Sequence, residues 1–431
     1  MEGRRLRRMV GLLHARLPEL DLDAVADPRR RKGRWSLAQV LRAALVGLMA
    51  GCKGLRKAEE LTDHLSLASR RQLKLPRRLA DTTMRDALCG VALGDLRRAL
   101  HRLVRAAWRR KALSPLGLPL SVVAMDGKVT MLPTLNQPFV QNQHPEAGLP
   151  YGLVRTMTCA LVSAAGRPCI DAIPVPEHTN EVGHFKEAFQ SLVETYGGLF
   201  DVVSYDAGGF SRANADAVKA AGKDYLFALK DEHRTMFQLA EELLATEPVV
   251  DHTEDRLDRT TTVVRSLKLL RADPSWSHGD GKGPSKSTWP HAGAFLSVQY
   301  VRVKEGVVED RFERMYVTSL DPDRLTTQEW LELVRRHWAV ENNNHHTLDT
   351  AFKEDARPWI EADANGMLVV LLLRRIAYTT LALFRAVTLR SAESRAMPWK
   401  TLFDWVRDAL VASLPEHLMD LRVREVCAAA R

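Results

Sequence analysis

The chain has 431 residues, of which 45% are hydrophobic and 27% charged, with a net charge of +9. This is too long for one small domain and is the composition of an ordinary soluble globular protein of two or three units. Five scattered cysteines with no C-x-x-C pair argue against a disulfide framework or a cysteine-based zinc knuckle, and suit a reducing cytosol.

The opening segment, MEGRRLRRMVGLLHARL, is a poor signal peptide, because His14 and Arg16 interrupt its apolar stretch. Up to Leu120 there are 27 Lys+Arg and 11 Asp+Glu, a balance of +16; the remainder, with 35 basic and 42 acidic residues, stands at −7. A basic head on an acidic body points to a polyanionic partner, with nucleic acid favoured over a merely solvated basic surface.

Residues 1–115 read as helical. SLAQVLRAALVGLMAGC has Ser36 as its N-cap and ends near Gly51; LRKAEELTDHLSL follows as a second helix. SRRQLKLPRRLADTTMRDALCGVAL is a basic loop, with Arg77 and Arg78, leading to a short helix capped near Asp81–Thr82. Its spacing suits a helix-turn-helix with Thr83 and Arg85 near DNA, and suits a plain helical packing domain about equally.

SPLGLPL (114–120) is a linker, and the texture then changes. SVVAMDG is a β-rich run ending in Asp126, TMTCALVSAAG and CIDAIPVP are two further strands, and FDVVSYDAGG is a buried strand ending in Asp206. Helices at HTNEVGHFKEAFQSLVETYGG and SRANADAVKAAG and a strand at DYLFALK complete residues 116–248 as an α/β sheet of mixed direction. Residues 249–319 alternate as antiparallel strands around a Gly/Ser/Pro loop, residues 320–362 return to helix, and 363–431 stay helical. The longest apolar run, MLVVLLL (367–373), stops at Arg374 and Arg375, well short of the ~20 residues of a bilayer span, so no membrane partner is expected.

Asp126 and Asp206 each follow a buried strand, and ligands in open α/β sheets gather at strand ends. If the two strands are neighbours, the carboxylates emerge together and repel unless a cation lies between them; oxygen ligands select Mg²⁺ or Mn²⁺. Either aspartate alone is an ordinary strand cap. Near the C-terminal end, RRHWAVENNNHHTLDTAF (335–352) puts Trp338, Glu341, His345, Leu348 and Phe352 on one helical stripe, so Glu341 is expected to face the core and to need a partner. His337, Glu341 and His345 also form an i, i+4, i+8 ladder, a weaker zinc pattern that lacks the H-E-x-x-H order. Asn343, Asn344 and His346 are expected to face away from Glu341, toward solvent, a partner or DNA.

From about Asp27 to beyond Asp355 the chain resembles the DDE transposases of bacterial insertion sequences, and among them the H-repeat-associated proteins. The resemblance rests on the head segment DPRRRKGRWSLAQVLRAALVGLMAGCKGLRKAEEL, on MDGK (125–128), HTNE (178–181), YDA (205–207), GKDYLFALK (222–230), TEDRLDRTTTVVR (253–265) and RMYVTSL (314–320), and on HW-x-x-EN-x-x-H-x-x-LD-x-x-F-x-ED (337–355), in that order. It implies an RNase H-like core with Asp126, Asp206 and Glu341 as the catalytic, metal-holding triad, a β-rich insertion at 249–319, and a head that binds the element's ends. It further implies two Mg²⁺ per site, with Mn²⁺ as substitute, phosphoryl transfer on double-stranded DNA, and a homodimer on DNA in the cytoplasm, associated with the nucleoid. Lys128, Lys230, Arg335 and Arg336 are candidate phosphate contacts, and His345 and Asn342 candidate neighbours of the triad. The chain departs from the family at AGGFSR (207–212), at Asp231–His233, and at Asn344 and His346. A catalytically retired DNA-binding descendant and a zinc hydrolase built on the histidine ladder are the alternative readings.

Overall fold

The computed structural model describes residues 9, 11–13, 15–29, 33–230, 234–273, 277–278, 287–288, 291–389 and 391–412. In the head, α1 (Leu37–Met49) begins at Ser36, whose hydroxyl accepts from the Gln39 N–H while the Gln39 side chain accepts from the Ser36 N–H. This reciprocal pair satisfies two amides that have no partner inside the helix. It is followed by α2 (Leu55–Asp63), α3 (Leu67–Leu73), α4 (Asp81–Leu88) and the long α5 (Leu93–Arg109). The expected cap of α4 is different: Ala80 is the N-cap, and the Glu59 carboxylate of α2 accepts from the Asp81 N–H at 3.1 Å.

The centre of the molecule is a mixed sheet. Its strands β1 (Val122–Leu132), β2 (Gln141–Gln143), β3 (Tyr151–Leu161), β4 (Cys169–Pro174), β5 (Val202–Tyr205) and β6 (Asp224–Leu229) include the order β4–β3–β1–β5–β6, with β2 on the outer edge of β3. The pairs β4–β3 and β3–β1 are antiparallel; β1–β5 and β5–β6 are parallel. Helices α6 (Phe185–Tyr196) and α7 (Arg212–Ala220) make the crossovers into β5 and β6. This is the RNase H-like arrangement that the resemblance implies.

Two sequence expectations shift here. β1 does not end at Asp126 but runs six residues further to Leu132, because residues 127–132 keep pairing with β3 as far as Leu132–Gly152. The β-rich stretch 249–319 does not stand apart either. After α8 (Arg234–Ala245), the strands β7 (Asp251–Arg256), β8 (Thr261–Arg271), β11 (Ala294–Lys304) and β12 (Val307–Thr318) extend the same sheet in the order β6–β12–β11–β8–β7, while β9 (Ser277–His278) and β10 (Ser287–Thr288) form a small separate hairpin. The join is the antiparallel pairing of Met315–Thr318 with Leu226–Leu229, which supplies β6 with a ladder on its free edge.

The two faces of the sheet are buried differently. Val123 and Met125 of β1 join a core shared with α6, the head and the C-terminal helices; Val122 and Ala124 pack with α9 (Thr327–His337) through Trp330, Leu333 and Val334. Side chains alternate along a strand, so Asp126 continues the Val122–Ala124 series toward the α9 face.

After α9 the chain makes a π-helical turn, Val340–His345, and continues as α10 (His346–Thr350). The C-terminal region is built on α11 (Ala364–Leu383) and α12 (Trp399–Val411). Helix α11 packs on α1, α5 and β4, so the head and the C-terminal region share one core instead of standing as separate units. With its continuation to Thr388, α11 is long and apolar enough to cross a membrane, but 94% of that window is buried in the fold. It runs straight through Arg374 and Arg375, where the apolar run was expected to stop. Both are fully buried, and Arg375 is paired with the fully buried Glu354.

Candidate active site

The parallel register of β1 and β5 ends with Ala124 beside Ser204. Two residues further along each strand, Asp126 and Asp206 face one cavity of about 830 Å³, which Glu341, Lys230, Glu313, Arg314, His337, Trp338 and His345 also line. The neighbouring-strand condition set by the sequence is therefore met, and Glu341 closes the triangle from the π-helical turn.

Burial pushes the Asp206 carboxyl above its usual value, and the negative charge of Asp126 pushes it the same way; Lys230 and the N–H groups of Gly208 and Gly209 pull against them. The Gly208 N–H lies 3.1 Å from Asp206 Oδ1. A carboxylate held above its usual value by burial and a neighbouring negative charge is one that a divalent cation relieves. Three oxygen donors of this kind suit a hard ion such as Mg²⁺ or Mn²⁺.

Of the helical stripe proposed for Glu341, His345, Leu348 and Phe352 are buried as expected, but Glu341 itself leaves it. A π-turn inserts an extra residue into the helix and rotates everything after it. Glu341 is consequently exposed, at the mouth of the cavity, while Val340, Asn344 and His345 turn inward. His345 Nδ1 lies 3.2 Å from Asp126 Oδ2, so this histidine meets the first acid of the triad instead of the third. His337 is buried against Tyr316 and Trp338, and burial pushes its pKa down to about 4, leaving it neutral.

The zinc ladder does not close. Among the described residues, the one group of three His, Cys, Asp or Glu side chains with ligand atoms within 4.8 Å of one another is Asp349, Glu354 and Asp355. That group already holds cations of the protein itself: Lys128 Nζ lies 2.7 Å from Asp349 and 3.2 Å from Asp355, and Arg375 pairs with Glu354.

The profile of the transposase DDE domain matches residues 119–379. The chain belongs to the DDE transposase family. No curated protein matches it. Among solved structures it is similar to the cryo-EM structure of the piggyBac transposase synaptic complex with hairpin DNA, at 12% identity and a TM-score of 0.37, over 98% of this chain and 82% of that one. The family cleaves and joins DNA with divalent metal ions, and in this transposase the three acids of the resemblance lie in one cavity.

The other residues singled out from the transposase sequence fall into two groups. Lys230 is exposed in the triad cavity; Arg335, half exposed and 3.6 Å from Asp255, and the exposed Asn342 line a smaller adjoining cavity with Glu341. In the head, Arg85 is exposed on α4, Arg78 is exposed but 2.6 Å from Glu59, and the Arg77 guanidinium lies 5.4 Å over the Trp35 ring. Lys128 and Arg336, by contrast, are buried and fully engaged inside the protein. Arg336 donates to the carbonyls of Val162 and Leu116, each at 2.9 Å, and pairs with Glu332. Neither is free to meet a phosphate, which corrects the sequence expectation. Asn344 is likewise corrected: it is fully buried, while Asn343 is held by Arg167 and His346 alone of the three is exposed. Residues 231–233 lie outside the described residues.

Sequence reasoning also missed neighbours. Glu181, the last residue of HTNE, packs on Gly127, where an added Cβ would lie 2.4 Å from Glu181 Cγ; both its oxygens are 2.9 Å from Arg155. Gly127 thus leaves room for a further carboxylate against β1, next in the chain to Asp126, with its charge balanced by an arginine. Arg314, the first residue of RMYVTSL, lies in the cavity with its guanidinium 3.6 Å over the Trp338 ring. Both belonged to quoted motifs, but nothing in a strand pattern says that a motif 55 residues from an acid returns to it (181−126).

Proposed function

We propose that this chain is the transposase of a bacterial insertion sequence of the H-repeat-associated subgroup, which binds the element's terminal inverted repeats and cuts and joins DNA through Asp126, Asp206 and Glu341. The observation that carries the reading is the register of β1 and β5, which brings Asp126 and Asp206 level in one cavity with Glu341. These three would hold two Mg²⁺ ions, or Mn²⁺ in their place, which supply activation of the attacking oxygen and stabilisation of the leaving one.

In the first step water attacks a phosphodiester at the element's end and the P–O3′ bond breaks, releasing a 3′-OH. In the second step that 3′-OH attacks a phosphodiester of the target and displaces another 3′ oxygen. His345 holds Asp126 in place, and Lys230 in the triad cavity and Arg335 in the adjoining one offer positive charge to the backbone. Arg77, Arg78 and Arg85 give the head its contact with the repeat, two copies hold the two ends, and the protein works in the cytoplasm at the nucleoid.

The test uses purified full-length protein and DNA carrying the inverted repeats. Asp126→Asn, Asp206→Asn and Glu341→Gln are each expected to abolish Mg²⁺-dependent cleavage while leaving repeat binding unchanged. Cutting by Glu341→Gln would remove Glu341 from the triad, and a wild type that binds the repeats but neither cuts nor joins would leave the retired DNA-binding descendant. Retention of activity after EDTA dialysis with tight zinc would favour the histidine site.

A further inference from the structure

A second pocket, of about 210 Å³, opens beside the same π-helical turn but shares no lining residue with the triad cavity. Three guanidinium groups line it, those of Arg167, Arg336 and Arg385, with Asn343, Thr347, Tyr378 and Trp399 among the other walls. No carboxylate lines it among the described residues. Arg336 has Glu332 as its counter-charge outside the pocket. Arg167 donates to the side-chain oxygen of Asn343, and Arg385 donates to the Met397 carbonyl at 3.0 Å while lying 4.4 Å over the Trp399 ring. These are neutral acceptors for two half-buried cations.

The position of Arg167 is built into the fold. It follows Gly166, whose φ of +80° is open to glycine at little cost and whose added Cβ would lie 2.8 Å from the Ala382 carbonyl of α11. The turn is thus pressed onto α11, and the Tyr378 hydroxyl donates to the Arg167 carbonyl at 3.3 Å. Burial pulls the Arg167 pKa down, with the charge of Arg336 adding to it, and burial does the same to Arg385. Cations removed from water without a counter-ion destabilise the fold unless an anion joins them.

We propose that this pocket binds a phosphate group, received by the guanidinium forks of Arg167 and Arg385. Guanidinium groups recognise phosphate oxygens in pairs, and the volume admits a phosphate or pyrophosphate. The group has two possible sources, a free phosphate compound or the backbone of DNA lying across the turn. In either case it competes for Arg167 with Asn343, two residues from Glu341 (343−341). The proposal stands independently of the roles assigned to the triad.

The test uses the full-length protein without divalent metal. Binding of inorganic pyrophosphate is measured by calorimetry, and binding of a short duplex lacking the terminal repeats by fluorescence anisotropy. Pyrophosphate is expected to bind wild type, and Arg167→Gln and Arg385→Gln each to weaken it about tenfold or more, with Arg324→Gln, exposed and outside this pocket, unchanged. If pyrophosphate does not bind but the duplex loses affinity by that factor in the two pocket variants, the source is backbone phosphate. Should Arg167→Gln fail to fold, Arg385→Gln and the charge-keeping Arg167→Lys carry the same comparison. Equal binding of both probes by wild type and the pocket variants, or binding of neither probe by wild type, overturns the proposal.

Discussion

His345 Nδ1 lies 3.2 Å from Asp126 Oδ2, although 219 residues separate them in the chain (345−126). The helix that carries Glu341 thereby touches the strand that carries Asp126, and at the π-turn His345 faces inward while Glu341 turns out. Partners of this kind orient the groups that meet a metal.

His345→Ala is accordingly expected to lower Mg²⁺-dependent cleavage by roughly 10–100-fold, mainly as a higher Mg²⁺ requirement. A Mg²⁺ titration of single-turnover cleavage checks it. An unchanged titration curve would make the contact with Asp126 incidental.

Asp171 of β4 ties the head to the sheet. Its carboxylate lies 2.6 Å from Arg97 and 3.1 Å from His101, both on α5. Burial raises its pKa, but His101 and Arg97 outweigh burial and bring it to about 2, below the ordinary 3.8. Since the folded value is depressed, the folded state binds fewer protons than the unfolded chain between the two values. The stabilisation is fully present above about pH 4 and is lost as pH falls toward 2, a contribution of about 2 kcal/mol. Urea midpoints of wild type and Asp171→Asn should converge across that acid interval and differ above it.

Lys128 tests the correction of its role. It is buried between Asp349 and Asp355, so Lys128→Ala should cost about 1–2 kcal/mol of stability, discounted because both acids are partly exposed. The salt dependence of DNA binding should not change, whereas loss of a phosphate contact would reduce its slope by about one. Thermal unfolding and a binding series in salt separate the two.

Arg375 and Glu354 form an ion pair with both side chains fully buried. Removing one partner, as in Arg375→Met, leaves an uncompensated buried charge and should cost about 3–5 kcal/mol. The double variant Arg375→Met with Glu354→Leu should recover much of that loss, because both charges are gone. A double-mutant cycle in urea checks it, and additive losses would show that the two do not act as a pair.

The sequence by itself determined where the buried strands of the mixed sheet begin and which three acids to compare. Those properties are local: the apolar runs VVAM and VVSY need two buried faces, and the helix of 327–337 carries its own capping box. Only the tertiary structure decided how these acids are used and who their neighbours are. The outward turn of Glu341, away from the buried His345, follows from one extra residue in a helical turn, which no 3.6-residue pattern reveals. The capture of Lys128 by Asp349, the burial of Arg336 under the Val162 and Leu116 carbonyls, and the joining of β12 to β6 are pairings between distant segments. A charge in the sequence looks the same whether it ends in solvent or in an ion pair. Its partner is set by which backbone the packing brings beside it, and that is a property of the whole fold.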